Sequence, residues 1–324
     1  MSTGARPLIR VFGRQWLNRV MADTAPDRAS TLDWLLEGDP AIRWQTLRDL
    51  SDADEAQWRI EQERVASEGW GARLFDHQDD DGRWTPRLYG KKWISTTYTM
   101  VLLRRMGLPR SDPRALKSCQ LFFKEGLGTR RNSETCIHSL VLGLLYWFDV
   151  DDAQREPVLE YLLAKQLEDG GWNCDVQSRH GSFHTTASAL EALRECAVAG
   201  TSRKDEIEAA EARGREFFLE HRMFRSHRTG EVVNQRFLRF SFPPHWHFDV
   251  MRGLDYFWSA GSLTDPRLQE AIDLLVEKGD EDGRWPLQQR WPGETWFEME
   301  TVGEPSRWNT LRAMRVLEGW SGEK

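Results

Sequence analysis

The residues of this sequence with the most chemical potential are few. Four cysteines (Cys119, Cys136, Cys174 and Cys196) are spread through 324 residues. That is too thin a set to staple a chain this long, so reduced thiols or a metal ligand are what they suggest. A second candidate is His245-Trp246-His247-Phe248-Asp249. Two imidazoles and a carboxylate can bind metal or move a proton, but alternate spacing at a helix start aims them in different directions. A loop histidine pair followed by a helix-capping Asp249 is the plainer reading. A third is the acidic group Asp149, Asp151 and Asp152. It sits between two helical patterns, where three acids read as an exposed cluster at a helix N-terminus.

Stepping outward, 44 Lys+Arg against 51 Asp+Glu give a net charge of −7, spread along the chain, a poor basis for general nucleic-acid binding. The longest apolar stretch, 140–148, is too short to span a bilayer. At 40% hydrophobic and 29% charged, the chain has the composition of a folding protein. Arg6, Arg10, Arg14 and Arg19 stand in an opening stretch without an acid. That stretch lacks the continuous apolar region and small-residue cleavage site of a secretory signal. It reads as an N-terminal extension or helix within residues 1–40, with the cytoplasm as the default compartment.

The 16 tryptophans, against 5 tyrosines, recur in a pattern. Residues 78–84 (QDDDGRW), 166–172 (QLEDGGW) and 280–285 (DEDGRW) are copies of one turn, and Trp84 and Trp172 lie 88 residues apart, two periods of about 44. Worn copies stand at 124–128 (KEGLG) and 227–232 (HRTGEV). A helical pattern follows each copy, over 93–106, 134–148, 183–196, 246–258 and 308–317, and others precede them, as at 157–166 and 266–278. Asp-Gly after a helix supplies its terminating turn. No run of alternating strand residues is visible. The expectation is all-α: about five helix pairs, each an outer helix, a turn and an inner helix, in one domain over residues 41–324.

The repeated turn resembles the QW motif of squalene–hopene cyclases and the matching turn of protein prenyltransferase β-subunits. The resemblance spans about residues 40–320 and implies an (α/α) toroid whose inner helices enclose an apolar cavity. The turn residues Trp84, Trp172 and Trp285 then fasten neighbouring repeats, while Trp93, Trp246 and Trp308, at inner-helix starts, are either cavity wall for an isoprenoid or plain core.

The same resemblance poses a choice of chemistry. Class II cyclases carry Asp-x-Asp-Asp at an inner-helix start, its middle acid kept protonated to attack an alkene or epoxide. Asp149-Val150-Asp151-Asp152 has those letters but follows an inner-helix pattern, and residues 182–187 (SFHTTA) stand where the motif belongs. Prenyltransferases bind Zn²⁺ through Asp-x-Cys at one inner-helix start and His at the next. Glu134-Thr135-Cys136 and Phe183-His184-Thr185 resemble these, with Glu in place of Asp, and Cys136 and His184 are 48 residues apart. Thiolate, carboxylate and imidazole would leave one zinc position open for a nucleophile. The plainer alternative is a buried cysteine, a capping glutamate and a core histidine. Arg130, Arg131, Lys91 and Lys92 precede inner helices at the rim where a prenyl diphosphate would need a basic cradle.

Three functions stay open on this basis. One is zinc-dependent transfer of a prenyl group to a thiol or small nucleophile. Another is a terpene cyclase with a non-standard acid; should the Glu134 set fail, His245, His247 and Asp249 are the fallback metal or acid site. The third is a non-catalytic toroid binding a lipid or a partner. The expected ligand is an isoprenoid or other apolar small molecule, with no nucleic acid, no transmembrane segment, peripheral membrane contact left open and no protein partner identifiable.

Overall fold

A computed structural model describes residues 28–130 and 133–322. The arginines of the N-terminal stretch and Arg131 lie outside the described residues. Within them the chain is all-helical and has no strand, only three isolated bridges. No helix there is long and apolar enough to cross a membrane.

The helices are α1 (Arg28–Leu36), α2 (Pro40–Leu50), α3 (Glu55–Arg64), α4 (Gly69–Phe75), α5 (Thr96–Met106), α6 (Pro113–Glu125), α7 (Thr135–Trp147), α8 (Asp152–Ala164), α9 (Phe183–Ala199), α10 (Lys204–Glu220), α11 (Val250–Ser259), α12 (Gln269–Glu277) and α13 (Arg307–Ser321). Their starts obey local chemistry. Asp39 and Asp112 cap helices that open on Pro40 and Pro113, and Asp54 forms a capping box with Gln57. Two expected inner helices begin later than their patterns, at Thr96 and Val250. The second is delayed because the Asp249 carboxylate, accepting from Arg252 N–H at 2.8 Å, defines the cap. Trp93 and Trp246 therefore sit in the loops ahead of their helices.

The three turn copies are superimposable in their bonding. Gly82, Gly170 and Gly283 have φ of 94°, 81° and 70°, a conformation that glycine adopts without strain. In each turn the tryptophan N–H donates to a threonine hydroxyl on the next inner helix: Trp84 to Thr96 (3.1 Å), Trp172 to Thr186 (3.0 Å) and Trp285 to Thr310 (2.9 Å). Each indole N–H donates to a leucine carbonyl ending the preceding outer helix, Leu74, Leu162 or Leu275. Gln78 and Gln166 also reach the following outer helix, donating to Arg114 O and Ala210 O. The tryptophans thus tie outer helix to inner helix, and the glutamines tie outer helix to outer helix.

Packing connects six helices in series: α2 with α13, α13 with α11, α11 with α9, α9 with α7, and α7 with α5. The α7–α9 contact passes Gly143 against Ala192. Trp44 Nε1 donates to Met106 O at 2.7 Å and Gln45 Nε2 to Arg105 O at 3.3 Å, joining α2 back to α5. Gly107, in the left-handed region at φ 83°, lets this junction close, since a Cβ there would meet the Trp44 ring at 2.1 Å.

Candidate metal centre

Glu134 is the N-cap residue of α7 and still extended there, at φ −64° and ψ 145°. Its carboxylate can therefore turn back toward the first helical turn, and the Cys136 thiol donates to Glu134 Oε2 at 3.6 Å. The third member comes from the loop after the Trp172 turn. Cys174 Sγ accepts from Cys136 N–H at 3.2 Å and lies 3.3 Å from the Thr185 hydroxyl at the start of α9. One ligand atom from each of Glu134, Cys136 and Cys174 lies within 4.8 Å of the others, so the group could hold a metal ion. Tetrahedral ligands at ~2.3 Å from a metal stand about 3.8 Å apart, within small side-chain adjustments of this spacing. The donor set, two thiols and a carboxylate, half-buried to exposed, suits a soft divalent ion.

The electrostatics separate the two thiols. Hydrogen bonding from Cys136 pulls Cys174 down to about 7 against the opposing effect of burial, with Thr185 and the Cys136 N–H assisting. Cys136 is pushed up by the neighbouring Cys174 sulfur first and by its partial burial second, with the Glu134 charge adding to both. Cys174 is thus the readier thiolate, at the N-terminus of α7 where backbone N–H groups favour negative charge. Two phenols stand close enough to feel these charges. Tyr98 OH donates to Tyr89 OH at 2.9 Å; burial raises both phenols, Tyr89 to about 12, the hydrogen bond to Tyr89 raises Tyr98 further, and the Cys136 and Glu134 charges add to each.

His184 is a correction to the expected ligand set. Its Nδ1 accepts from Phe248 N–H at 2.8 Å, and its ring lies edge-on to Phe237, Trp246 and His247. Burial, with the Arg252 charge second, pulls it down to about 4. Hydrogen bonding to the loop before α11 occupies its Nδ1, and the third member of the group that could hold a metal is Cys174. The sequence signal for Cys174 was its position just after a turn tryptophan.

The fallback cluster does not converge either. His245 is buried and stacks on Trp93 at 3.9 Å, His247 stacks on Trp291 at 3.5 Å, and Asp249 is a fully buried cap held by Ser241 N–H and Oγ. The acidic triplet is a helix N-terminus: Asp151 caps α8, while Asp149 and Asp152 are exposed and paired with Arg155.

Of the basic residues, Arg130 lines an open groove with Arg87, Tyr89 and Ser133, the residue before Glu134. Lys91 pairs with Glu294 at 2.8 Å. Lys92 lies 5.5 Å from the Trp93 ring centre and 5.3 Å from that of Trp246. Trp93 is buried, and Trp308 stacks on Phe242 at 3.9 Å.

The space between the inner helices also differs from expectation. It was expected to be apolar, and it holds a cavity of about 400 Å³ lined by tryptophans and many charged side chains. Glu191 on α9 accepts from Arg252 (2.7 and 3.0 Å) and Arg105 (2.8 Å), while Arg104 pairs with Glu195 at 2.5 Å. On the opposite wall Arg315 bridges Asp49 (3.1 Å) and Asp255 (2.5 Å). The physical reason is that the inner helices carry charged residues on faces that short-range periodicity alone assigns to a core. A narrower apolar slot of about 40 Å³ runs past Trp93, Leu102, Phe242 and Trp296. No known family model matches the chain, and no curated protein sequence matches it.

Proposed function

We propose that the chain is an (α/α) toroid of about five outer–inner helix pairs, its ring completed by α2, in which Glu134, Cys136 and Cys174 hold a zinc ion, and that it activates a thiol or other small nucleophile at that rim. The observation that carries this reading is the convergence of two thiols and a carboxylate within 4.8 Å. The circuit of packed inner helices and the thrice-repeated turn support the toroid. A zinc ion with three protein ligands keeps one position for an incoming thiol or water and lowers its pKa toward neutrality. The chain's own residues would hold Cys174 as thiolate through Thr185 and Cys136 N–H. Arg130 and Arg87 would receive an anionic donor in the adjoining groove. Transfer from an isoprenoid diphosphate is the reaction to which the resemblance of the repeated turns points.

A second reading, a binding protein without catalysis, is favoured by one observation: the central cavity is charged, and the apolar slot beside it is far smaller than a long isoprenoid chain requires. Metal content separates the two. Purified protein should carry one zinc per chain, lost in Cys136→Ala and in Cys174→Ala and retained in His184→Ala. Cobalt substitution should give the intense thiolate-to-metal charge-transfer absorption of a two-sulfur site. Metal-free protein after purification with zinc present would sink the zinc reading and leave the binding role.

A further inference from the structure

We propose that the charged cavity between the inner helices is a binding site for a small organic oxyanion, a phosphate or carboxylate group carried on an apolar body. Among the described residues six buried side-chain nitrogen or oxygen atoms have no hydrogen-bond partner, and four of them are donors on residues lining this cavity: Arg105 Nε, Arg194 Nε, Trp308 Nε1 and Arg312 Nη1. Leaving a buried donor unmade is costly, more so for a charged one. Trp308 and Arg312 are each 2% exposed and stand one turn apart on α13. Their free N–H groups call for an acceptor, and all four unmatched atoms call for the same kind.

The charge pattern agrees. Arg104, Arg105 and Arg315 are matched to Glu195, Glu191, Asp49 and Asp255, whereas Arg110 and Arg312 have no carboxylate within ion-pair distance among the described residues. Arg312 is held only by neutral acceptors, Trp308 O, Ser241 O and Asn309 Oδ1. Burial lowers it, and lowers Arg105 to about 10, an electrostatic cost that an incoming anion would relieve.

The apolar part of the ligand follows from the rings. Trp44, Trp58, Trp147 and Trp258 line the cavity, each covered by an arginine, Arg48, Arg59, Arg110 and Arg315 respectively, at 4.5 to 4.8 Å. Such stacking orders a guanidinium; Arg48, Arg59 and Arg315 spend their edge N–H groups on Asp49, Glu55 and Asp255, which leaves those of Arg110 for an oxyanion. The cavity opens past Arg59 and the exposed Val198, so a small molecule can enter. Its volume, about 400 Å³, lies in the range of small-molecule sites. The site does not rest on the metal reading. Most of its walls come from the C-terminal halves of inner helices, whereas Glu134 and Cys136 open α7, a 13-residue helix about 20 Å long.

The test is calorimetric titration and thermal shift of the full chain with phenyl phosphate, benzoate, inorganic phosphate and phenol. Phenyl phosphate or benzoate should bind with a Kd at or below about 1 mM, and which of the two binds tighter identifies the oxyanion. Phenol should not bind, and inorganic phosphate should bind more weakly than its phenyl ester. Arg110→Gln at the mouth should weaken binding about tenfold, and Arg312→Met should abolish it. Should Arg312→Met fail to fold, Arg110→Gln and the loss of affinity at raised salt decide the matter. The Cys136→Ala/Cys174→Ala double variant should bind as the parent does. Equal binding of phenol, or no shift with either aromatic anion, would overturn the proposal. Inorganic phosphate binding as tightly as phenyl phosphate would overturn its apolar part.

Discussion

Glu191→Ala is the perturbation that most directly probes the charged centre. Glu191 is the carboxylate shared by Arg252 and Arg105, with Arg104 at 3.6 Å. Its removal leaves Arg104 its bond to Glu195, but Arg105 and Arg252 lose their ion-pair partner. Arg252 is 2% exposed and keeps only His247 O and Ser188 Oγ. Removing one partner of a buried pair costs about 3–5 kcal/mol, because the other charge stays buried. With an unfolding entropy of roughly 2.1 cal/mol/K per residue, a chain of 324 residues loses about 1.5 °C of Tm per kcal/mol, so the cost of about 3–5 kcal/mol implies a drop of about 4.5–7.5 °C. Glu191→Gln, which keeps an acceptor but not the charge, should fall between. Thermal unfolding followed by circular dichroism measures both. Burial alone would raise the Glu191 carboxyl, but the Arg105 and Arg252 charges hold it well below the ordinary value. A carboxyl with a depressed folded pKa stabilises above its unfolded pKa and loses that contribution as pH falls through the folded one. The gap between parent and Glu191→Ala should therefore be constant from pH 7 to 5 and narrow only in stronger acid. A drop below about 1 °C would show that these guanidiniums are solvated, since the cost comes from buried unpaired charge.

Other outcomes follow from the same structure. Thr186→Val leaves Trp172 N–H buried without its acceptor, a loss of about 1–3 kcal/mol in urea unfolding, and Thr310→Val should match it because Trp285 repeats the geometry. Gly107→Ala should lower Tm clearly, since a Cβ there strikes the Trp44 ring; an unchanged Tm would mean that the α2–α5 junction is not closed by Trp44. Burial pulls His247 down to about 3 and His245 well below its ordinary value. Neutral imidazoles of this kind stabilise fully above the unfolded pKa near 6.5 and progressively less as pH falls below it. Tm should decline from pH 7 to 5, and His247→Phe should make that decline shallower.

The helical class, the turn positions and their tryptophans are legible in the amino-acid order alone. Those depend on contacts close in the chain: Asp-Gly after a helix, glycine at positive φ, and aspartate ahead of proline. Glu134 and Cys136, two residues apart, meet because Glu134 is the N-cap and still extended, which lets its carboxylate turn back to the thiol. What the amino-acid order could not settle was the partner arriving from another repeat. His184 and Cys174 are both near the start of α9; Cys174 joins the group that could hold a metal, whereas Phe248 N–H, 64 residues beyond His184, takes the His184 Nδ1. The charged centre was hidden for the same reason. Arg105, Glu191, Arg252 and Arg315 each look like a solvated residue on a helical pattern, and only the packing of α5, α9, α11 and α13 against one another turns them inward. Local propensity sets which elements form, while long-range packing and the cost of burying charge set which side chains face each other.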